Sequence, residues 1–524
     1  MGNPFFEAPI LNSPYECPSR HWELDGEGQP TQRIIETRRD TRYVSPIPRA
    51  LRQTGPQPQN RLTFGEGDGF TAAGQAFDPT PLIREVRSLV AVWRTLPNPS
   101  DWLVTPETAR LLQHWRHHPF SGVQPFFCQI EAVEVAIWLT EVAPVLNKRP
   151  AIKKILEHLK NANGEANPGL NRLALKLATG AGKTTVMAML IAWQTLNAIR
   201  RPDSPGFTRG FLIVTPGLTI KDRLRVLEPN HPESYYKNRE LVPADLAGEM
   251  QKAKIVITNY HAFKPRERME ISKVGRALLQ GRGKPIKTLE TEGQIIQRAM
   301  GELMSLKNIM VLNDEAHHCY REKVQSAEEQ ELLKGDEKEE AKKNKEAARL
   351  WISGLEAVER QLGITRVMDL SATPFFLRGS GYPESTLFGW TMSDFSLMDA
   401  IECGIVKLPR VPVADNIPGA KVPIFRNLWE HIRKDMPRKG RSKAGQLDPL
   451  KIPSKLGRIP VLKARMNADL HMAGDLKKTD KANLFVIFGE PDIDSIELTK
   501  RGPMAGEAER RGRLRPEQRG GAQR

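Results

Sequence analysis

The sequence predicts an α/β fold built on a parallel sheet. Three observations carry that expectation. Short, nearly continuous apolar runs recur along the middle of the chain: residues 173–177, 211–214, 255–257, 309–312 and 366–370. Helical stretches separate them, and a strand covered on both faces shows such runs instead of an apolar/polar alternation. The chain has 524 residues, 39% of them hydrophobic, which is enough to bury a sizeable core within several domains.

Residues 1–80 are rich in Pro, Gly and Arg and read as an extended, partly ordered arm. Residues 81–118 have helical periodicity with Trp93, Trp102 and Trp115, and predict a small helical element. Residues 119–420 form the expected main domain. Within it Ile130, Val133 and Ile137 mark one face of a helix, and residues 184–198 predict a second, strongly apolar one. Two polar stretches interrupt it. Residues 264–300 are an insertion rich in Lys, Arg and Glu, and the Glu/Lys run within 321–349 reads as a solvated helix between core strands. Beyond 420 the alternation weakens. Residues 421–502 are a basic region of uncertain fold with one convincing strand at 484–488, and residues 503–524 are hydrophobic-poor and predict disorder.

The net charge is +16, and residues 421–524 hold 24 Lys and Arg against 13 Asp and Glu. Most of the excess therefore lies in that last region, where a polyanionic partner and a merely solvated tail are both open readings. The four cysteines are far apart with no CxxC pair, which excludes a zinc ribbon and fits free thiols in a cytoplasmic setting. No run of about 18 apolar residues occurs, so no membrane partner is expected, and the N-terminus lacks the features of a secretory signal.

Ala178-Thr179-Gly180-Ala181-Gly182-Lys183-Thr184 follows a predicted strand and opens a predicted helix. Glycines let backbone N–H groups turn inward around phosphate oxygens, and the helix N-terminus adds about half a positive charge there. Thr179, Gly180, Ala181, Gly182, Lys183, Thr184 and Thr185 are therefore candidates for holding a triphosphate. Lys183 would reach its outer phosphates, and the Thr184 hydroxyl would ligate Mg²⁺. The full GxxxxGK[ST] pattern is not met, because Leu177 stands at the first glycine position. A second apolar run, 309–312, leads into Asn313-Asp314-Glu315-Ala316-His317. Asp314 there suits a Mg²⁺ site, and Glu315 suits activation of an attacking water. Taken alone, the pair could equally be two exposed carboxylates at a loop start. His317-His318-Cys319 is a poor metal site, since adjacent residues at one strand end rarely converge.

With Ser371-Ala372-Thr373 these segments resemble superfamily 2 helicases of the DEAD/DEAH class: three motifs in order, each at a predicted strand end. Within that class residues 120–415 resemble the res subunit of type III restriction enzymes. The likeness rests on Phe126-Phe127-Cys128-Gln129-Ile130-Glu131-Ala132, the phosphate loop, Asp314-Glu315-Ala316-His317-His318 and Leu370-Ser371-Ala372-Thr373-Pro374. The resemblance implies a RecA-like P-loop domain hydrolysing ATP with Mg²⁺ in response to duplex DNA, gripped by its backbone, and a methyltransferase (Mod-like) partner. It implies catalytic roles for Lys183, Asp314, Glu315 and His317, and coupling of nucleotide state to DNA by Ser371, Ala372 and Thr373. Thr215, Pro216 and Gly217 resemble the family's motif Ia, and Thr258 and Asn259 its motif Ib, both DNA-contacting. Gln129 would read adenine, with Phe126 or Phe127 on its ring.

The chain also departs from the family. No Gln-x-x-Gly-Arg-x-x-Arg pattern follows residue 420; Arg510-Arg511-Gly512-Arg513 is a poor match, and no convincing nuclease motif is found. A subunit truncated after the first motor domain is the expectation, with hydrolysis slow and barely DNA-stimulated because an arginine finger would be missing. The alternative is a non-catalytic DNA-binding or assembly remnant.

Overall fold

The computed structural model describes residues 4–25, 28–41, 79–268, 288–323, 336–377, 380–382 and 385–408. The strand expected at 484–488, the basic region and the tail lie outside the described residues.

The first strands, β1 (His21–Leu24) and β2 (Pro30–Ile35), pair as an antiparallel hairpin. The central sheet then takes β3 (Arg172–Leu177), β4 (Gly210–Thr215) and β5 (Lys254–Asn259). A small antiparallel ribbon, β6 (Glu267–Arg268) and β7 (Thr288–Leu289), lies within the polar insertion. The central sheet is completed by β8 (Ile309–Asp314), β9 (Ile364–Ser371) and β10 (Thr391–Phe395). Its order is β10-β3-β9-β8-β4-β5, and every pair is parallel. The five strands read between residues 173 and 370 are all present, and the α/β class stands. A parallel sheet needs cover on both faces, which explains why β4 and β8 are buried at every position.

Helices supply that cover. Lys183–Arg200 follows the phosphate loop and is buried from Thr185 through Asn197. Phe127–Ile137, expected to be apolar on one face, is buried at every residue after Phe127. Pro150–Ala166 carries Ile152, Ile155 and Leu159 inward. Asp336–Leu362 is the helix expected from the Glu/Lys run, and it buries Trp351, Leu355 and Val358 against the other sheet face. The tryptophans of the small helical element converge: Trp93 and Trp102 meet edge to face, with the Arg116 guanidinium over both rings.

The described part of the N-terminal arm is more structured than the extended segment expected from its composition. The Leu11 and Asn12 N–H groups donate to the Glu402 carbonyl, and the Trp22 N–H donates to the Glu402 carboxylate at 2.9 Å. Phe5 and Trp22 pack on Ile401, next to Glu402 in the helix Leu397–Glu402. Arg38 reaches across to Glu131 with two bonds of 2.7 and 2.6 Å.

Candidate active site

The phosphate loop is the turn between β3 and the helix Lys183–Arg200. Gly180 and Gly182 have φ of +86° and +83°, a region that L-residues with a Cβ rarely enter. A Cβ at Gly182 would also stand 2.2 Å from Gln129 Nε2, so this glycine is fixed by crowding as well as conformation. Gln129 is buried, and both ends of its amide are engaged. Nε2 donates to the Ala181 carbonyl at 2.9 Å, and Oε1 accepts from the Phe126 N–H at 3.1 Å. Gln129 therefore holds the loop's shape, a support that the sequence reading did not foresee. Of the two aromatic candidates, Phe127 has the guanidinium of Arg94 4.8 Å from its centroid and that of Arg38 5.6 Å away, while Phe126 lies 5.7 Å from the ring of Tyr15.

β3 and β8 are separated in the sheet only by β9, so both deliver their C-terminal ends to one edge. There Lys183 Nζ donates to Glu315 Oε1 at 2.6 Å. Lys183 thus pairs directly with Glu315, not Asp314, yet its charge is felt by both carboxylates. The Asp314 carboxyl is pushed up to about 6 by burial and by the neighbouring Glu315 charge, with Lys183 opposing the rise. A buried carboxylate raised in this way gains from a nearby divalent cation, and the donor set of Thr184 and Asp314 fits Mg²⁺. Glu315 itself sits at φ +51°, an unfavourable conformation for a residue with a Cβ.

His317 continues the chain of contacts. Its Nδ1 lies 3.5 Å from Glu315 Oε2 and 3.0 Å from Ser371 Oγ. Burial, then His318 and Lys183, push its imidazole down to about 3, so the ring is neutral at physiological pH. The Thr373 N–H donates to Ser371 Oγ at 3.1 Å; Ser371 is buried and Thr373 exposed, with Ala372 between. Polar groups thus line up from Lys183 and Glu315, past a 3.5 Å approach of His317 to Glu315, to the hydrogen-bonded His317, Ser371 and Thr373.

The remaining candidates share that sheet edge. Thr215 ends β4 and pairs in register with Asn259 at the end of β5, and Val214 pairs with Thr258. Thr215, Thr258 and Asn259 are buried, and the Thr215 hydroxyl donates to the Gly217 carbonyl at 2.9 Å, fixing the turn through Pro216. Two neighbours of the loop escaped the sequence reading. Arg239 donates from Nη1 to Thr185 Oγ1 at 2.9 Å and lies on the Tyr235 ring. Val406 Cγ2 stands 3.0 Å from where a Gly180 Cβ would be. Neither belongs to a local motif, so only the folded chain brings them to the site.

Residues 146–376 match the family model described as type III restriction enzyme, res subunit. No curated protein and no solved structure matches the chain. The matched stretch contains the phosphate loop, the acidic strand end and Ser371–Thr373; Gln129, β10 and the N-terminal arm lie outside it. The stretch 146–376 is thus similar to the res subunit of type III restriction enzymes, and the domain there is of the superfamily 2 helicase type.

Proposed function

We propose that this chain binds ATP with Mg²⁺ and hydrolyses it to ADP and phosphate in response to duplex DNA, as a motor part of a restriction subunit. One observation carries most of this reading: Lys183 of the phosphate loop and the Asp314–Glu315 strand end, distant in sequence, stand together. ATP with Mg²⁺ would supply the triphosphate and the metal charge. The loop N–H groups and Lys183 neutralise phosphate charge, and Thr184 and Asp314 hold the metal. Glu315 accepts a proton from the attacking water once Lys183 turns from it to phosphate. Gln129 retains a second lone pair on Oε1 that can accept from an exocyclic amine such as adenine's. The His317–Ser371–Thr373 contacts couple that event to the DNA-facing edge, where the partly exposed Pro216 and Gly217 would meet phosphates and not bases, and the buried Thr215, Thr258 and Asn259 would shape that edge from beneath. A methyltransferase subunit would supply sequence recognition.

The test is binding of a fluorescent ATP analogue. Lys183→Ala is expected to abolish it, and unchanged affinity would overturn the reading. The net +11 carried by residues 421–524 supports a second reading, a non-catalytic DNA-binding protein. That reading requires DNA affinity to collapse when these residues are deleted and nucleotide binding to be absent.

A further inference from the structure

At the end of the sheet away from the phosphate loop, Gly169–Asn171 leads into β3 and Arg366 stands near the start of β9. With Leu139 and the helix Pro150–Ala166 they enclose a cavity of about 440 Å³. That volume lies within the range of small-molecule pockets, roughly 300–1,000 Å³. Leu139, Leu156, Leu159 and Leu170 form its apolar wall, and no carboxylate lines it. Its two buried amides are already engaged. Asn163 bonds the backbone N–H and carbonyl of Arg172, and Asn167 Oδ1 accepts from the Arg172 guanidinium at 3.1 Å.

Two cations remain, Arg366 and the exposed Lys160. Arg366 has no hydrogen-bond or ion-pair partner among the described residues, and burial alone pushes it down to about 10. Arg366 is half-buried, and a guanidinium with part of its hydration removed and no counterion among the described residues carries a cost that a bound anion would offset. The planar fork of one arginine matches a carboxylate in two parallel bonds, and the leucine wall asks for an apolar body behind it.

We propose that this cavity is a second ligand site, taking a small organic carboxylate whose charged end meets Arg366 and whose apolar part lies on the leucine wall. Titration calorimetry of the full chain with 4-phenylbutyrate tests it, with the neutral 4-phenylbutyramide alongside. Saturable binding of one carboxylate per chain is expected, at least tenfold weaker for the amide and for Arg366→Met. Gly164→Glu gives an independent variant. Gly164 lines the cavity, an added Cβ there meets nothing within 4 Å, and the new carboxylate should occupy the cations and abolish binding. Lys183→Ala should leave the affinity unchanged, which separates this site from the nucleotide reading. Absence of saturable binding, equal binding of the amide, or undiminished binding in Arg366→Met or Gly164→Glu would overturn the proposal.

Discussion

Glu315 has two partners to serve. In this structure its carboxylate is the counterion of Lys183, with 12% and 28% of the two side chains exposed. A triphosphate must take Lys183 away, so the ion pair competes with nucleotide. A partly exposed pair is worth about 1 kcal/mol or less. Glu315→Gln should therefore bind an ATP analogue up to roughly fivefold more tightly than the native chain, while hydrolysis falls at least a hundredfold for want of a base. Equilibrium titration and phosphate release check the two halves separately; weaker analogue binding would show that Glu315 helps to hold nucleotide instead of opposing it. His317 is a different case, because burial keeps its ring neutral. Phosphate release should show no inflection near the ordinary imidazole value of about 6.5 that His317→Asn removes. Lys183, Asp314 and Glu315 were legible in the sequence because each belongs to a short segment whose chemistry depends on adjacent residues. The contact between Lys183 and Glu315, rather than Asp314, was not, because it joins residues 132 apart in sequence that only the folded chain brings together.

At the scale of elements, the N-terminal arm and the helix Phe127–Ile137 are joined by buried charge. Glu131 accepts from Arg38 and lies 3.5 Å from Arg94, and Glu134 takes Arg94 and Arg116 at 2.6 and 2.7 Å. Burial opposes the Glu131 charge, but Arg38 and Arg94 outweigh it and hold the carboxyl down at about 2. The folded value lies below the unfolded one, so this contribution is present above about pH 4.5 and is lost as pH falls toward 2. Its size is about 3 kcal/mol, and Glu131→Gln should cost a similar amount by leaving Arg38 without its carboxylate, while Arg94 keeps Glu134. The arm should then be cut by protease between Pro14 and Thr41 at neutral pH, as the native chain would be only near pH 3. An arm equally resistant in Glu131→Gln would show that Glu402 and Trp22 hold it without the pair. Composition pointed to a loose arm because Arg38 and Glu131 are 93 residues apart, and no local pattern links them. The edge strand β10 escaped for a related reason: Thr391-Met392-Ser393-Asp394-Phe395 has no apolar run, and it is a strand only because β3 offers it a ladder.

Across the whole molecule one buried polar network crosses the sheet beneath the candidate site. Arg172 on β3 and Asp369 on β9 are fully buried and bonded at 2.8 Å. The Arg172 guanidinium also donates to the Cys319 carbonyl and packs on Trp390, whose indole N–H donates to Asp369 at 2.7 Å. The other Asp369 oxygen accepts from Asn313 on β8, and Asn313 in turn accepts from Trp351 of the helix Asp336–Leu362. Burial works against the Arg172 charge, but Asp369 prevails and raises its proton affinity, so Arg172 does not escape by neutralising. Because Asn313 precedes Asp314, the network fixes where β8 delivers its carboxylate. Removing one partner strands the other charge in the core, and Asp369→Ala should destabilise the fold by about 3–5 kcal/mol. For a domain of this size that lowers the melting temperature by roughly 10 °C. The double variant Arg172→Met, Asp369→Ala should regain more than half of that loss, because two apolar groups leave no orphan charge, while analogue binding stays below native because Asn313 has lost its anchor. If instead the double variant is less stable than Asp369→Ala alone, the Cys319 and Trp390 contacts of Arg172 are holding the core without the aspartate.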